Sequence, residues 1–297
     1  MSTPATTGSA QEIFWNEHQP GLRFADAPVG TSEFFALVER QRYALEPHIP
    51  ELVRFERWQG CDVLEVGCGI GTDGARFARA GARYTGVDPT ATALELARRR
   101  FELEGLDGRL LSAAATDLPF ENKSFDLVYS HGVIHHIDST AEAVEEFRRV
   151  LRPGGTALVM LYHRHSLNYY VTIMGIRRGL AGLLLVPGVA RPIARLTGER
   201  AELLDAHRSL VRRYGLRYVL DSGLFLSNNT DGPGNPLSKV YSRSEAVRLF
   251  ARYRRVTTAV RYLNLRLYPG GRRLARTPLA AALERRIGWH LYIEAVK

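Results

Sequence analysis

The chain has 297 residues, of which 45% are hydrophobic and 24% charged, the balance of a globular protein with one large domain or one domain carrying a sizeable insertion. Its two cysteines, Cys61 and Cys68, exclude a disulfide framework and point to a reducing, cytoplasmic setting. The net charge of +9 is uneven: residues 1–162 hold 16 basic against 23 acidic side chains, and residues 163–297 hold 24 against 8.

The first eleven residues, MSTPATTGSAQ, are small and polar and lack the basic and apolar regions of a signal peptide, so they read as a disordered tail. Residues 32–43 read as a helix with Phe34, Phe35, Leu37 and Val38 inward, and a short second helix over 49–58 ends at Gly60. Strands and helices then alternate. Strands are expected at 62–66, 83–87, 110–114, 125–129 and 156–161, and helices at 72–80, 91–104 and 140–151. Short apolar strands separated by amphipathic helices predict a parallel sheet covered on both faces, with ligands bound beyond the carboxyl ends of the strands. Residues 163–239 break this rhythm with helical stretches and the turn-rich NNTDGPGNP at 228–236. Helix resumes at 242–253, where Ser242 and Glu245 have the spacing of a capping box, and strands are expected at 256–262 and 289–296. The apolar run 179–190 is too short for the ~20 residues of a membrane span and is broken by Pro187; it reads as a buried or pocket-covering helix, with an interfacial membrane helix as the alternative.

The most informative segment is VLEVGCGIGTDG at 63–74, where a strand enters a glycine-rich turn and then a helix. Glycine lets the backbone adopt positive φ and approach a ligand, and the helix amino terminus offers free N–H groups to it. A nicotinamide fingerprint fits poorly. Counted from Gly67 its third glycine position holds Thr72, and counted from Gly69 (with Gly71 and Gly74) the turn begins two residues late. The loop by itself suits either cofactor.

The segment resembles the first motif of class I S-adenosylmethionine-dependent methyltransferases, E/D-x-G-x-G-x-G, filled by Glu65, Gly67, Gly69 and Gly71. Asp88 closes the second strand, Asp117 follows the third in ATDLPF, SHGVIHHI follows the fourth, and RVLRPGG precedes the fifth, all in the order of that family. The resemblance covers residues 63–161 well and the last strands loosely. It implies a Rossmann-like, doubly wound, mostly parallel seven-stranded α/β sheet and S-adenosylmethionine as cofactor. It also implies a cofactor site of Glu65, Gly67, Cys68, Gly69, Gly71, Thr72, Asp88, Pro89, Thr116, Asp117, Leu118, Ser130 and His131. Asp88 would accept from the ribose hydroxyls and Asp117 from the adenine amino group. The bland alternatives are a helix cap for Asp88 and a turn residue for Asp117, and Cys68 need only be small.

Acceptor chemistry is expected after the fourth and fifth strands. His131, His135 and Tyr162 are the candidate catalytic residues, with His135 favoured as a general base of ordinary histidine pKa. His136 suits packing or hydrogen bonding, and Tyr162 with His163 either enters the cavity or starts a solvated loop. Three histidines in six residues invite a metal, but the spacing lacks a ligand motif and no metal is expected. The division expected is 1–60 tail and helical cap, 61–162 cofactor-binding core, 163–241 a mostly helical insertion lidding the acceptor pocket, and 242–297 completing the sheet. The resemblance implies a small-molecule acceptor, in the manner of bacterial secondary-metabolite tailoring enzymes. The basic half, with Arg177, Arg178, Arg191 and Arg195, suggests that it is anionic, although arginine richness by itself explains the charge. A methyltransferase acting on RNA or protein is the alternative, and a regulatory protein that keeps the fold without the chemistry is the third reading. No run of basic and aromatic residues suits a nucleic-acid strand, and a homo-oligomer stays open.

Overall fold

The computed structural model describes residues 9–19, 21–22, 26–186, 188–189, 192, 194–195, 201–268, 270–275 and 277–297. Its centre is a seven-stranded sheet of order β3-β2-β1-β4-β5-β7-β6. The strands are β1 Asp62–Val66, β2 Arg83–Val87, β3 Arg109–Leu111, β4 Phe125–His131, β5 Leu151–Tyr162, β6 Arg255–Arg261 and β7 His290–Val296. The first five run parallel, and β7 is antiparallel to both β5 and β6. The expected doubly wound, mostly parallel sheet is therefore present, with the strand order reversing at β1 and β4.

Side chains alternate across each strand, so the sheet has two cores. Val63, Tyr84, Leu127, Tyr129, Met160 and Tyr292 face one layer, which includes Phe55, Trp58 and Phe77. Leu64, Val66, Val87, Val128, Val159 and Ile293 face the other, with Val144, Phe147 and Phe250. The first layer includes α3 His48–Val53 and α4 Thr72–Arg79 and is reached by Tyr43 of α2 Ser32–Leu45, whose Phe34, Phe35 and Val38 form a separate cluster with Ile70; α6 Thr140–Val150 is in the second. Phe147 is fully buried, and truncating it to Ala should cost about 3–5 kcal/mol.

Most expected elements appear within two residues of their predicted ends, and the capping box at Ser242 and Glu245 is formed. The differences have local causes. The third strand is only Arg109–Leu111, because β2 offers it partners only from Thr85 to Val87; Ala114 instead bridges to Asp117. The second helix stops at Val53, where Arg54 turns left-handed (φ 51°), and continues as a 3-10 turn over Phe55–Trp58. At the amino end, residues 1–8 of the expected tail lie outside the described residues. Residues 10 and 11 are not tail: Ser9 caps a helix, α1, over Ala10–Glu17. In the run 179–190, α7 spans Arg178–Leu183 with Ala181 and Leu184 buried but Leu183, Leu185 and Val186 exposed, so it is half-buried rather than buried; Pro187 and Ala190 lie outside the described residues. No helix among the described residues is long and apolar enough to cross a membrane.

Candidate active site

The carboxyl ends of β1, β2, β4 and β5 meet along one edge of the sheet, and the sequence-predicted residues gather there. Gly67, Gly69 and Gly71 hold φ of 76°, 53° and 76°, values that only glycine adopts without strain. A Cβ on Gly67 would stand 2.2 Å from Val133, so that glycine also lets the segment after β4 close on the loop. A Cβ on Gly69 would meet nothing within 4 Å, which shows that the front of the turn faces open space. The loop is pinned from behind, since Gly67 and Cys68 both donate to the Val87 carbonyl at 2.8 and 3.0 Å. The Cys68 thiol is buried and pushed well up, an unreactive state consistent with a residue that is merely small.

Asp88 is buried at the end of β2. One carboxylate oxygen accepts from the Gly69 N–H at 3.0 Å, and the other from the Thr90 N–H at 2.9 Å and the Thr90 hydroxyl at 2.6 Å. Burial raises its pKa, opposed by these hydrogen bonds. Asp88 is not the helix cap: Thr90 occupies the N-cap of α5 Ala91–Glu104. Pro89 is exposed beside it. Across the edge Asp117 is exposed, Thr116 is half-buried, and Leu118 is buried with its N–H donating to Glu146 at 2.9 Å. At the end of β4, the Ser130 hydroxyl is fully buried and has no hydrogen-bond partner among the described residues. A cradle of positive-φ glycines open at its front, a helix amino terminus at Thr72, an acid on each side and an orphaned hydroxyl form a site fitted to a nucleoside with a charged tail.

Glu65 faces the first core layer and accepts from the Tyr84 hydroxyl at 2.6 Å; burial and the nearby Asp73 charge push its carboxyl well up. Asp73, which the sequence reading passed over, accepts two bonds from the Arg42 guanidinium at 3.0 and 2.7 Å and one each from Tyr43 at 2.8 Å and Tyr129 at 2.9 Å. Burial would raise its pKa, but Arg42 and the tyrosine hydroxyls outweigh it and hold the carboxyl below the usual range. This bond set fixes α2 against the helix that begins at the glycine turn.

The three histidines at and beyond the end of β4 separate. His131 lies by Glu46 and His290, with its Nε2 3.7 Å from a Glu46 oxygen; burial and then the Arg42 charge hold its pKa well down. His135 is fully buried, packs against Tyr162 with ring centroids 3.9 Å apart and planes tilted by 45°, and has no hydrogen bond at either ring nitrogen among the described residues. Burial lowers its pKa far below the ordinary histidine value, so the expected base titrating near neutrality is not what the fold provides. His136 bonds through Nδ1 to the Leu237 carbonyl at 2.9 Å and presents Nε2 to Asp231 at 3.4 Å, the hydrogen-bonding role its position suggested.

Tyr162 is buried against the first core layer: its hydroxyl donates to Asp231 at 2.8 Å and its ring stacks on Trp289. His163 instead turns away, buried, with Nδ1 on the Gly288 carbonyl at 3.0 Å. Asp231 thus receives Tyr162 on one oxygen and faces His136 with the other while keeping a side-chain exposure of 21%. It comes from the 228–236 segment, which begins in the helix Ser222–Thr230 and buries its asparagines while Gly234 and Pro236 stay exposed. Asn228, Asn229, Asn235 and Ser238 are each at most 5% exposed, and the Ser238 hydroxyl reaches His136 at 3.2 Å. Helix α1 completes the enclosure. Gln19, just beyond it, donates to Thr90 at 3.1 Å, Asn16 accepts from the Thr92 N–H at 3.3 Å, and Trp15 packs edge-on to His136. Among the arginines of the basic half, Arg178 donates to the Val219 and Leu220 carbonyls and Arg177 to the Asn229 carbonyl, so both tie the insertion together rather than waiting for an anion. Arg195 is exposed, and Arg191 lies outside the described residues.

Residues 64–159 match the family model described as "Methyltransferase domain". A phthiotriol/phenolphthiotriol dimycocerosates methyltransferase of Mycobacterium leprae is 38% identical over 189 residues, 62% of this chain and 69% of that one. The methyltransferase GfsG of Streptomyces halstedii is 39% identical over 99 residues, 32% of this chain and 36% of that one. A ubiquinone biosynthesis O-methyltransferase of Roseobacter denitrificans is 30% identical over 125 residues, 42% of this chain and 50% of that one. The last two matches span half or less of the relatives' own length. Among solved structures, an S-adenosylmethionine-dependent methyltransferase of Methanosarcina mazei shares the fold with a TM-score of 0.51 at 17% identity, over 84% of this chain and 97% of that chain.

Proposed function

This chain belongs to the class I S-adenosylmethionine-dependent methyltransferases, and we propose that it methylates an oxygen of a small, largely apolar molecule in secondary-metabolite biosynthesis. The observation that carries the reading is the joint enclosure of two places by α1: the glycine turn with Asp88, and the Asp231–Tyr162–His136 group. Bound at the turn, the cofactor supplies an electrophilic methyl group. The glycine turn and the α4 amino terminus would hold its amino-acid portion, Asp88 the ribose, and Asp117 the adenine. Residues 163–241 serve as the lid. Asp231, hydrogen-bonded by Tyr162, facing His136 and partly open to solvent, is the reachable proton acceptor for an acceptor hydroxyl. His131 and His135 shape the wall. An apolar acceptor is favoured by the relatives, whose names include phthiotriol lipids and ubiquinone.

An anionic group on the acceptor has its own support. Arg243, Arg261, Arg285 and Arg286 line a cavity of about 820 Å³ with His165. Arg261 stands in register with His290 and hence with Tyr162, two strands or about 10 Å away. The test is to incubate methyl-labelled cofactor with an organic extract, total RNA and cell protein in parallel. Label in the organic phase, with a Michaelis constant that rises with salt, supports the reading. Label confined to RNA or protein overturns it in favour of a macromolecular methyltransferase, the reading the +16 half otherwise invites.

A further inference from the structure

We propose that Glu46, His131 and His290 form a binding site for one divalent transition-metal ion of the Zn²⁺ type. The three residues are far apart in sequence and are brought together by the fold. Glu46 caps α2, His131 ends β4 and His290 begins β7. Met160 of β5 pairs with both His131 and Tyr292, and Tyr162 of β5 pairs with His290, so both histidines occupy the strand ends where ligands bind in such sheets.

The geometry is that of ligands rather than of hydrogen-bonded pairs. One Glu46 oxygen is 3.7 Å from His131 Nε2 and the other is 3.8 Å from His290 Nε2, both beyond hydrogen-bond length. One donor atom from each of the three residues lies within 4.8 Å of the others. A tetrahedral zinc ion with bonds of about 2.1 Å sets its ligands about 3.4 Å apart, so small side-chain rotations close the site. The Glu46 Oε2 atom is buried and lacks a hydrogen bond among the described residues.

The other ring nitrogens are already engaged. His290 Nδ1 meets His48 Nε2 at 3.2 Å, and His131 Nδ1 meets the Tyr292 hydroxyl at 3.4 Å. Each imidazole is thereby oriented with Nε2 toward Glu46, the arrangement in which outer groups set the tautomer of metal-binding histidines. The charge most opposed to a cation is Arg42, with an Nη1 3.8 Å from Glu46 Oε2, but its guanidinium is already paired in two hydrogen bonds with Asp73. Two histidines and one carboxylate leave a fourth position for water or an oxygen ligand, the pattern of exchangeable rather than closed zinc sites.

The test uses the full chain, stripped with chelator and titrated with Zn²⁺ by calorimetry. Cobalt substitution gives a second readout, through visible absorption that reports coordination independently of methyl transfer. The expected result is one tight site per chain. It should weaken at least about a hundredfold in Glu46→Gln and in His290→Ala, and about 10–100-fold in His48→Ala, which touches only the outer nitrogen. Circular dichroism of each variant confirms folding. If a variant does not fold, a His131→Ala titration replaces it. The exposed His165→Ala serves as a control and should leave the tight site unchanged. The proposal falls if the stripped wild type takes up no ion, or if Glu46→Gln binds Zn²⁺ as tightly as wild type, which would reduce the cluster to histidine packing.

Discussion

Asp88 holds the loop architecture through its hydrogen bonds to Gly69 and Thr90, and in the proposed function it also holds the cofactor ribose. Asp88→Ala removes the acceptor of three hydrogen bonds, from the Gly69 N–H, the Thr90 N–H and the Thr90 hydroxyl. The Thr90 hydroxyl can rotate, although Gln19 donates to its oxygen and cannot take its proton, so the two backbone donors carry most of the loss. A buried donor left unsatisfied costs about 1–3 kcal/mol, and of the two only the Thr90 N–H is fully buried, which gives about 1–3 kcal/mol for the protein without cofactor. The sequence by itself suggests a milder outcome, with apo stability nearly unchanged; the bonds to the loop make a measurable drop in melting temperature the expectation. The same substitution removes charge-assisted bonds to a ribose diol, worth about 1.5–3 kcal/mol each, so affinity for S-adenosylhomocysteine should fall at least about tenfold. Calorimetry for affinity and a thermal melt of the apo protein separate the two effects. Thr90→Val, which leaves the carboxylate in place, should cost about 0.5–1.5 kcal/mol of stability and change affinity by less than about threefold. If Asp88→Ala melts early yet binds S-adenosylhomocysteine as well as wild type, Asp88 is a strut for the glycine turn and the ribose role is wrong.

Asp73→Asn should destabilise the chain by about 3–5 kcal/mol by leaving Arg42 without its buried carboxylate, seen as a melting-temperature loss of at least about 6 °C. Because the folded Asp73 pKa lies below its unfolded value, its contribution is full above about pH 4 and disappears as pH falls through the folded pKa; denaturant titrations from pH 6 to pH 2 should show wild type losing more stability than the variant. Asp231→Asn should lower the turnover number by about 10²–10⁴ with little change in cofactor affinity if Asp231 accepts the acceptor proton. His135→Phe, which keeps an aromatic ring beside Tyr162, should spare turnover; a loss as large as that of Asp231→Asn would return the base to His135.

The local parts of the fold were legible because they rest on local chemistry. The limits of β1 and β2 follow from short apolar runs, the Ser242 cap from its spacing to Glu245, and the glycine turn from its need for positive φ. Legibility ended where meaning depends on partners distant in the chain. Asp73 reads as one more helix residue until Arg42, Tyr43 and Tyr129 converge on it. Asp231 looks like a turn residue because asparagine, glycine and proline surround it, yet hydrogen bonds to His136 and Tyr162 hold the segment in place. The capped start of α1, with Ser9 accepting from Glu12 and Phe14 buried, was a usable signal hidden by the polar composition of residues 1–11. The choice among the three histidines needed burial, which six consecutive letters do not encode.

The central claim is that the turn at 67–71 with Asp88 binds S-adenosylmethionine and not a dinucleotide. Calorimetric titration of the full chain with S-adenosylhomocysteine and, separately, with NAD tests it directly. The account predicts one saturable site for S-adenosylhomocysteine and no heat of binding for NAD; saturable NAD binding with none for S-adenosylhomocysteine would contradict it.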